Sequence, residues 1–125
     1  KYLLTEFSKP SILWGIDGDW MVNYIPSNKP FYPTDHCGIL RVLTEDVLPQ
    51  YLVKVLEQAG TEKGFCRSLR ASIDRIAGLT VMLPNKDIQE EVVSQIEGLE
   101  AKIKIAREII KSSASQKQTV LDKYL

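Results

Sequence analysis

Apolar and polar positions alternate in short, punctuated stretches up to Pro84 and then settle into one long helical rhythm. Residues 11–16 (SILWGI) and 20–25 (WMVNYI) are rich in β-branched and aromatic side chains, with Asp17-Gly18-Asp19 between them. That pattern predicts a β-hairpin with a short glycine-containing loop. Residues 26–33 (PSNKPFYP) carry too many prolines for a ladder and predict a loop. Residues 36–43 (HCGILRVL) read as a buried strand. A helix is expected over 50–59, from the apolar set Leu52, Val53, Val55 and Leu56, with Pro49 in its first turn and Gly60 at its exit. Ser72 suits the cap of a single turn over 73–77, and residues 79–83 (LTVML) read as a last strand ended by Pro84.

Beyond Pro84 the punctuation stops: residues 85–125 contain no proline and one glycine, Gly98. Asn85 can cap a helix there, and Asp87, Glu90 and Glu91 suit its positive N-terminal end. Alternating steps of four and three pick out Val92, Ile96, Leu99, Ile103, Ala106, Ile110, Ser113, Lys117, Val120 and Tyr124. Eight of these ten are apolar or aromatic, against 44% for the whole chain, so the stripe is a seam of coiled-coil type. Ser113 and Lys117 weaken it in the distal third. The expected fold is therefore α+β: a small mixed α/β domain over 1–84 followed by one long coiled-coil helix over 85–125. Val92, Ile96, Leu99, Ile103, Ala106, Ile110, Val120 and Tyr124 are its candidate pairing residues.

Composition narrows the functional classes less than it narrows the fold. Sixteen basic residues balance sixteen acidic ones in 125, so overall charge gives nucleic-acid binding no help. The balance is local, however: residues 63–75 hold Lys63, Arg67, Arg70 and Arg75 against Asp74 alone. No apolar run approaches the ~20 residues of a membrane span. Cys37 and Cys66 stand far apart in no metal-like spacing, and without a secretory signal they read as reduced thiols of a cytoplasmic protein. The chain opens at Lys1 on the apolar run Tyr2-Leu3-Leu4, as a piece cut from a longer protein would.

Catalytic and metal chemistry find little footing. His36, the one histidine, adjoins Cys37, but neighbouring strand residues point to opposite faces and cannot readily act together. Asp17, Asp19 and Asp35 are scattered carboxylates, and Asp17-Gly18-Asp19 is accounted for by a turn. Gly15 and Gly18 lack the spacing and following helix of a phosphate-cradling loop. Arg75 suits a role in pinning the short turn to the domain, and Trp14, Trp20, Phe31 and Phe65 suit core or hinge packing.

The stretches SILWGIDGDWMVNY, KPFYPTDHCGILRV, PQYLVKVLEQAG and ASIDRIAGLTVMLPNKDIQEEVVSQIEGLEAKI, with the helix to Leu125, resemble the specificity subunits of type I restriction–modification enzymes. The most specific match is the last, where a serine-containing turn, a strand and a proline lead into an amphipathic helix with IQEEVV and IEGLEAKI. The segment Pro33-Thr34-Asp35-His36-Cys37 looks closer to relatives that fuse a methyltransferase to one recognition domain. The resemblance implies a DNA target-recognition domain over 1–84, truncated because the family's domain is longer. It implies a spacer helix over 85–125 that pairs with a second helix, in cis or by homodimerisation, and offers a platform to the methyltransferase. It implies a non-catalytic component, with S-adenosylmethionine, ATP and Mg confined to partner subunits or domains. Double-stranded DNA and methyltransferase and nuclease subunits are the expected partners. Lysine and arginine would neutralise phosphates while polar or Arg side chains read base edges. The candidates are Ser27, Asn28, Lys29 and Tyr32 in the proline-rich loop, and Lys63, Arg67, Ser68 and Arg70 after the first helix. The alternative is a protein-interaction or dimerisation module with no DNA role, which accounts equally well for the seam and the zero net charge.

Overall fold

A computed structural model describes residues 9–29, 31 and 36–125. The fold is mixed α+β: a three-stranded antiparallel sheet with helices, the last of them long. Its strands are β1 (Ser11–Gly15), β2 (Val22–Ile25) and β3 (Cys37–Leu40), in the order β2-β1-β3. The helices are α1 (Pro49–Lys63), α2 (Ile73–Ala77) and α3 (Lys86–Tyr124). The chain forms two compact units, Lys1–Glu90 and Glu91–Leu125.

β1 lies in the centre because both neighbours pair with it antiparallel, with Ser11 opposite Ile25, Trp14 opposite both Val22 and Gly38, and Ile12 opposite Leu40. Ile12 and Trp14 point inward, two residues apart on one face, and join Val53, Leu56, Phe65, Ala71 and Ile76 in the core. The hairpin expected over residues 11–25 is present with a longer loop. Pairing stops at Gly15 and Val22, and Gly15 N donates to Met21 O across residues 16–21. Gly18 takes a left-handed φ of 89° there, which a side chain would strain.

Three sequence expectations need correction. The strand expected over 36–43 is the four-residue edge strand β3, half-buried except for Gly38. It ends where Arg41 turns its Nε to donate to Ser11 Oγ, and Leu43 is 97% exposed. The helix expected over 50–59 runs on through Gly60 to Lys63. Gly60 is a packing residue instead: the Trp20 ring lies where a Cβ would stand, and Trp20 Nε1 donates to Glu57 O at 2.8 Å. The helix exit is Gly64, at φ 88°, whose N–H reaches Gly60 O and Thr61 O. Residues 79–83 form no strand and pair with none among the described residues. That segment is held instead by Tyr51, whose hydroxyl donates to Met82 O, while Met82 itself is exposed.

The helix-start signals hold as read. Pro49 opens α1, Ser72 Oγ accepts from Arg75 N at the start of α2, and Asn85 Oδ1 accepts from Ile88 N at the start of α3. Within the first unit the opening turn of α3 is locked by Gln89, which is fully buried. Its Oε1 accepts from Leu48 N at 2.7 Å, and its Nε2 donates to Asp46 O at 2.9 Å and Pro84 O at 2.8 Å. Both amide hydrogens and the amide oxygen are engaged, so this buried polar group costs little. In the second unit α3 continues without a break, and from Glu97 to Leu125 every residue is exposed.

Candidate nucleic-acid interface

The first candidate group sits on a rigid turn. After Gly64, Cys66 and Leu69 exchange backbone hydrogen bonds of 3.0 and 3.1 Å, so Arg67 and Ser68 form the tip of a closed loop. Phe65 anchors its start in the core against Trp20, with ring centroids 5.2 Å apart. Its end is tied by Trp14 Nε1, which donates to Ala71 O at 2.8 Å, and by Ala71 N, which donates to Ile16 O. Arg75 pins the same segment, its Nη1 donating to Arg70 O at 2.8 Å. Lys63, in the last turn of α1, and Arg67, Ser68 and Arg70 are all exposed on this frame.

Their charges are not idle. The β1–β2 loop faces them with Asp17 and Asp19. Arg70 Nε lies 3.1 Å from Asp17 Oδ1 and Arg67 Nε 3.7 Å from Asp19 Oδ1. Asp17 Oδ2 is also 2.5 Å from His36 Nδ1, while Ile16 N donates to the His36 carbonyl. The Arg70 contact is an ion pair rather than an aligned hydrogen bond, since Asp17 Oδ1 is buried with no donor directed at it. Exposed pairs of this kind are worth ~0–1 kcal/mol, so a phosphate could displace them, but the local positive field is already blunted. Residues 63–75 are basic in sequence and nearly balanced in space.

The second candidate group lies at the other end of the sheet. Ser27, Asn28 and Lys29 follow β2, whose last residue Ile25 is opposite Ser11, and all three are exposed, with Asn28 at φ 63°. The acidic loop follows Gly15, so the length of β1, roughly 13 Å at 3.3 Å per residue, lies between the two groups. Tyr32 lies outside the described residues, as do Pro33, Thr34 and Asp35. The structure therefore brings Lys63, Arg67, Ser68 and Arg70 together and leaves Ser27, Asn28 and Lys29 apart from them.

Sequence reasoning passed over a third group. At the Ser11 end, Lys9, Arg41 and Lys86 line an open groove of about 610 Å3 with Glu45 as its acid. Ser11, 1% exposed, organises it: its Oγ accepts from Arg41 Nε at 3.1 Å and donates to Lys9 O at 2.9 Å. The available signal was Arg41, a charge set in the otherwise apolar run HCGILRVL.

Other chemistry is sparse. His36, 74% exposed, gives Nδ1 to Asp17, whereas the Cys37 thiol turns to its own strand at Gly38 O. Partial burial pushes the Cys37 thiol up, while hydrogen bonds from Ser68 and from the Leu69 and Ser68 backbone pull the exposed Cys66 thiol down. Among the described residues, no three His, Cys, Asp or Glu side chains gather as a metal-holding group, and no helix is long and apolar enough to cross a membrane.

Of the pairing candidates, Leu99, Ile103, Ala106, Ile110, Val120 and Tyr124 are exposed along one side of α3, and Val92 and Ile96 continue the same stripe toward its start. Ile105, Ile109 and Leu121 add exposed apolar surface outside the expected seam. In comparison with known proteins, no family model, no curated protein and no solved structure matches the chain.

Proposed function

We propose that this chain is the DNA-recognition and spacer portion of the specificity subunit of a type I restriction–modification system. The observation that carries the reading is α3. It is a single helix of 39 residues, about 58 Å long at 1.5 Å per residue, whose apolar stripe is bare from Leu99 to Tyr124. Water makes such a stripe unfavourable on its own, so it calls for a mate. A helix that pairs along its length sets a fixed distance, which is what reading a split DNA target requires. In this reading the mate is a second helix, in cis or from another copy, and the outer faces offer a platform to the methyltransferase.

The α+β unit supports the reading by holding polar and basic loops on a rigid scaffold, the arrangement from which DNA contacts are usually made. The unit does no chemistry in this proposal. S-adenosylmethionine, ATP and Mg act on partner subunits, and the complex works in the cytoplasm. A titration of the chain with duplex DNA across a salt series tests it. Affinity that falls linearly with log salt supports the proposal, and flat or absent binding refutes it. One observation favours a second reading, a dimerisation module without a DNA role: Asp17 and Asp19 already occupy Arg70 and Arg67. The same titration separates the two.

A further inference from the structure

We infer that the β1–β2 loop is an autoinhibitory latch: Asp17 and Asp19 occupy Arg70 and Arg67 until the backbone of duplex DNA takes their place. The inference rests on the DNA-recognition reading and adds how its basic turn is regulated. Two carboxylates two residues apart meet two arginines three residues apart, with Arg70 Nε 3.1 Å from Asp17 Oδ1 and Arg67 Nε 3.7 Å from Asp19 Oδ1. A carboxylate offers an arginine what a phosphate does, an anionic oxygen. The loop and a nucleic-acid strand therefore compete for the same two charges.

The latch is fixed on its acidic side and loose where it meets the arginines. Asp17 Oδ2 is bonded to His36 Nδ1, Ile16 N donates to His36 O, and Ala71 N donates to Ile16 O, so the loop is brought against the basic turn at a set place. The contacts it makes there are poor. Asp17 Oδ1 is buried with no donor aligned on it, although Arg70 Nε is near. A bare buried oxygen costs stability, and an ion pair without an aligned N–H offsets only part of that cost. The Arg67–Asp19 separation is beyond hydrogen-bond reach, and both side chains are more than four-fifths exposed, at 81% and 83%. A phosphate can bind the fork of an arginine bidentately, a better contact than either aspartate makes. The turn itself does not depend on the aspartates for its shape. Cys66 and Leu69 close it by backbone bonds, Phe65 anchors it in the core, and Arg75 Nη1 donates to Arg70 O. Opening the latch therefore leaves both arginines presented on the same frame.

The test is fluorescence anisotropy of a labelled random-sequence duplex titrated with the full chain. Asp17→Asn/Asp19→Asn is compared with wild type, and the same two substitutions are repeated in an Arg67→Gln/Arg70→Gln background. Exposed pairs of this kind are each worth up to about fivefold in affinity, so Asp17→Asn/Asp19→Asn should bind roughly five- to twentyfold tighter than wild type. In the Arg67→Gln/Arg70→Gln background the gain should fall below about twofold. An equal gain in both backgrounds overturns the latch, because the aspartates would then act only as distant charges. Weaker binding overturns it as well, since the aspartates would then be positioning the arginines for phosphate; unchanged binding does the same. Each of these results leaves the DNA reading standing. Tryptophan-fluorescence melting reports whether each variant is folded. Asp19→Asn alone, at a side chain 83% exposed, carries the test without touching the His36 contact, and its gain should be up to about fivefold. Absence of duplex binding in wild type and every variant removes the DNA reading and the latch together. Phosphatidylserine vesicles that displace the duplex from Asp17→Asn/Asp19→Asn at equal charge would assign the arginines to a lipid surface and overturn the inference.

Discussion

Gln89 joins the opening turn of α3 to the domain through three hydrogen bonds, and replacing it tests whether that amide is what fixes the junction. Gln89→Met keeps the length and nearly the volume of the side chain while removing every polar atom. Leu48 N loses its acceptor, and Asp46 O and Pro84 O lose their donor, all at a side chain that is fully buried. Each intramolecular hydrogen bond contributes ~1 kcal/mol net, and each buried group left bare costs ~1–3 kcal/mol. Three bonds lost together predict a fall of about 3 kcal/mol in the unfolding free energy of the domain. Gln89→Glu separates geometry from polarity. Its carboxylate can still accept from Leu48 N, but the second oxygen would face two carbonyl oxygens. The ionised form is disfavoured in the fold, so the folded pKa rises above the unfolded value of about 4.3. A carboxyl with a raised folded pKa loses stability as pH climbs past the unfolded value, so the deficit against wild type should shrink as pH is lowered toward 4. Urea unfolding followed by Trp14 and Trp20 fluorescence reads the domain without interference from the tryptophan-free α3. A Gln89→Met protein within ~0.5 kcal/mol of wild type, together with a pH-independent deficit in Gln89→Glu, would refute the reasoning.

Gly38→Ala should lower the melting temperature, because its Cβ would run into the buried Trp14 ring; overpacking of this kind costs ~1–3 kcal/mol, and a thermal melt with an unchanged midpoint would count against the packing described. Cys66 should alkylate faster than Cys37 at pH 7.5–8, roughly within the range where a lowered thiol pKa matters. Ser68→Ala removes the first cause of that lowering and should slow Cys66, as followed by mass spectrometry of iodoacetamide adducts. Ile103→Asp with Ile110→Asp places two charges in the stripe of α3 and should abolish helix pairing while leaving domain melting unchanged. Sedimentation showing the same association in the variant as in wild type would exclude the seam as the pairing surface.

The long helix and its caps were legible because each depends on neighbours close in sequence. Asn85, Ser72 and Pro49 act on backbone groups within four residues, and the stripe on α3 is a repeat within one helix, exposed from Leu99 onward. Gly60 was misread for the opposite reason. A glycine ten residues into an apolar helical pattern looks like an exit, and only the Trp20 ring, forty positions earlier, reveals that the missing side chain makes room. The run LTVML was misread because apolar alternation records partial burial, not pairing. With β1 already flanked by β2 and β3, residues 79–83 meet a tyrosine hydroxyl at Met82 O instead of a ladder, and the glutamine amide holds Pro84 after them. Gln89 itself gave no signal, since a glutamine in a helix heavy with Glu reads as solvated surface.

Charge was the least legible property, and it decides the candidate interface. Counting along the chain makes residues 63–75 the basic segment, because Asp17 and Asp19 lie some fifty positions away in sequence. The β1–β2 loop cancels that distance, since Ala71 N bonds to Ile16 O and draws the acidic loop against the basic turn. The reverse happens at the other end of the sheet. Lys9, Arg41 and Lys86 are each isolated in sequence, one before a proline, one in an apolar run and one at a helix start, and no window holds two of them. They meet because β1 and β3 are in register and because Gln89 holds the start of α3 to the segment before α1. Phosphate attraction follows distance in space, falling off over ~8–10 Å at ordinary ionic strength, so a sum over neighbours in sequence measures the wrong quantity.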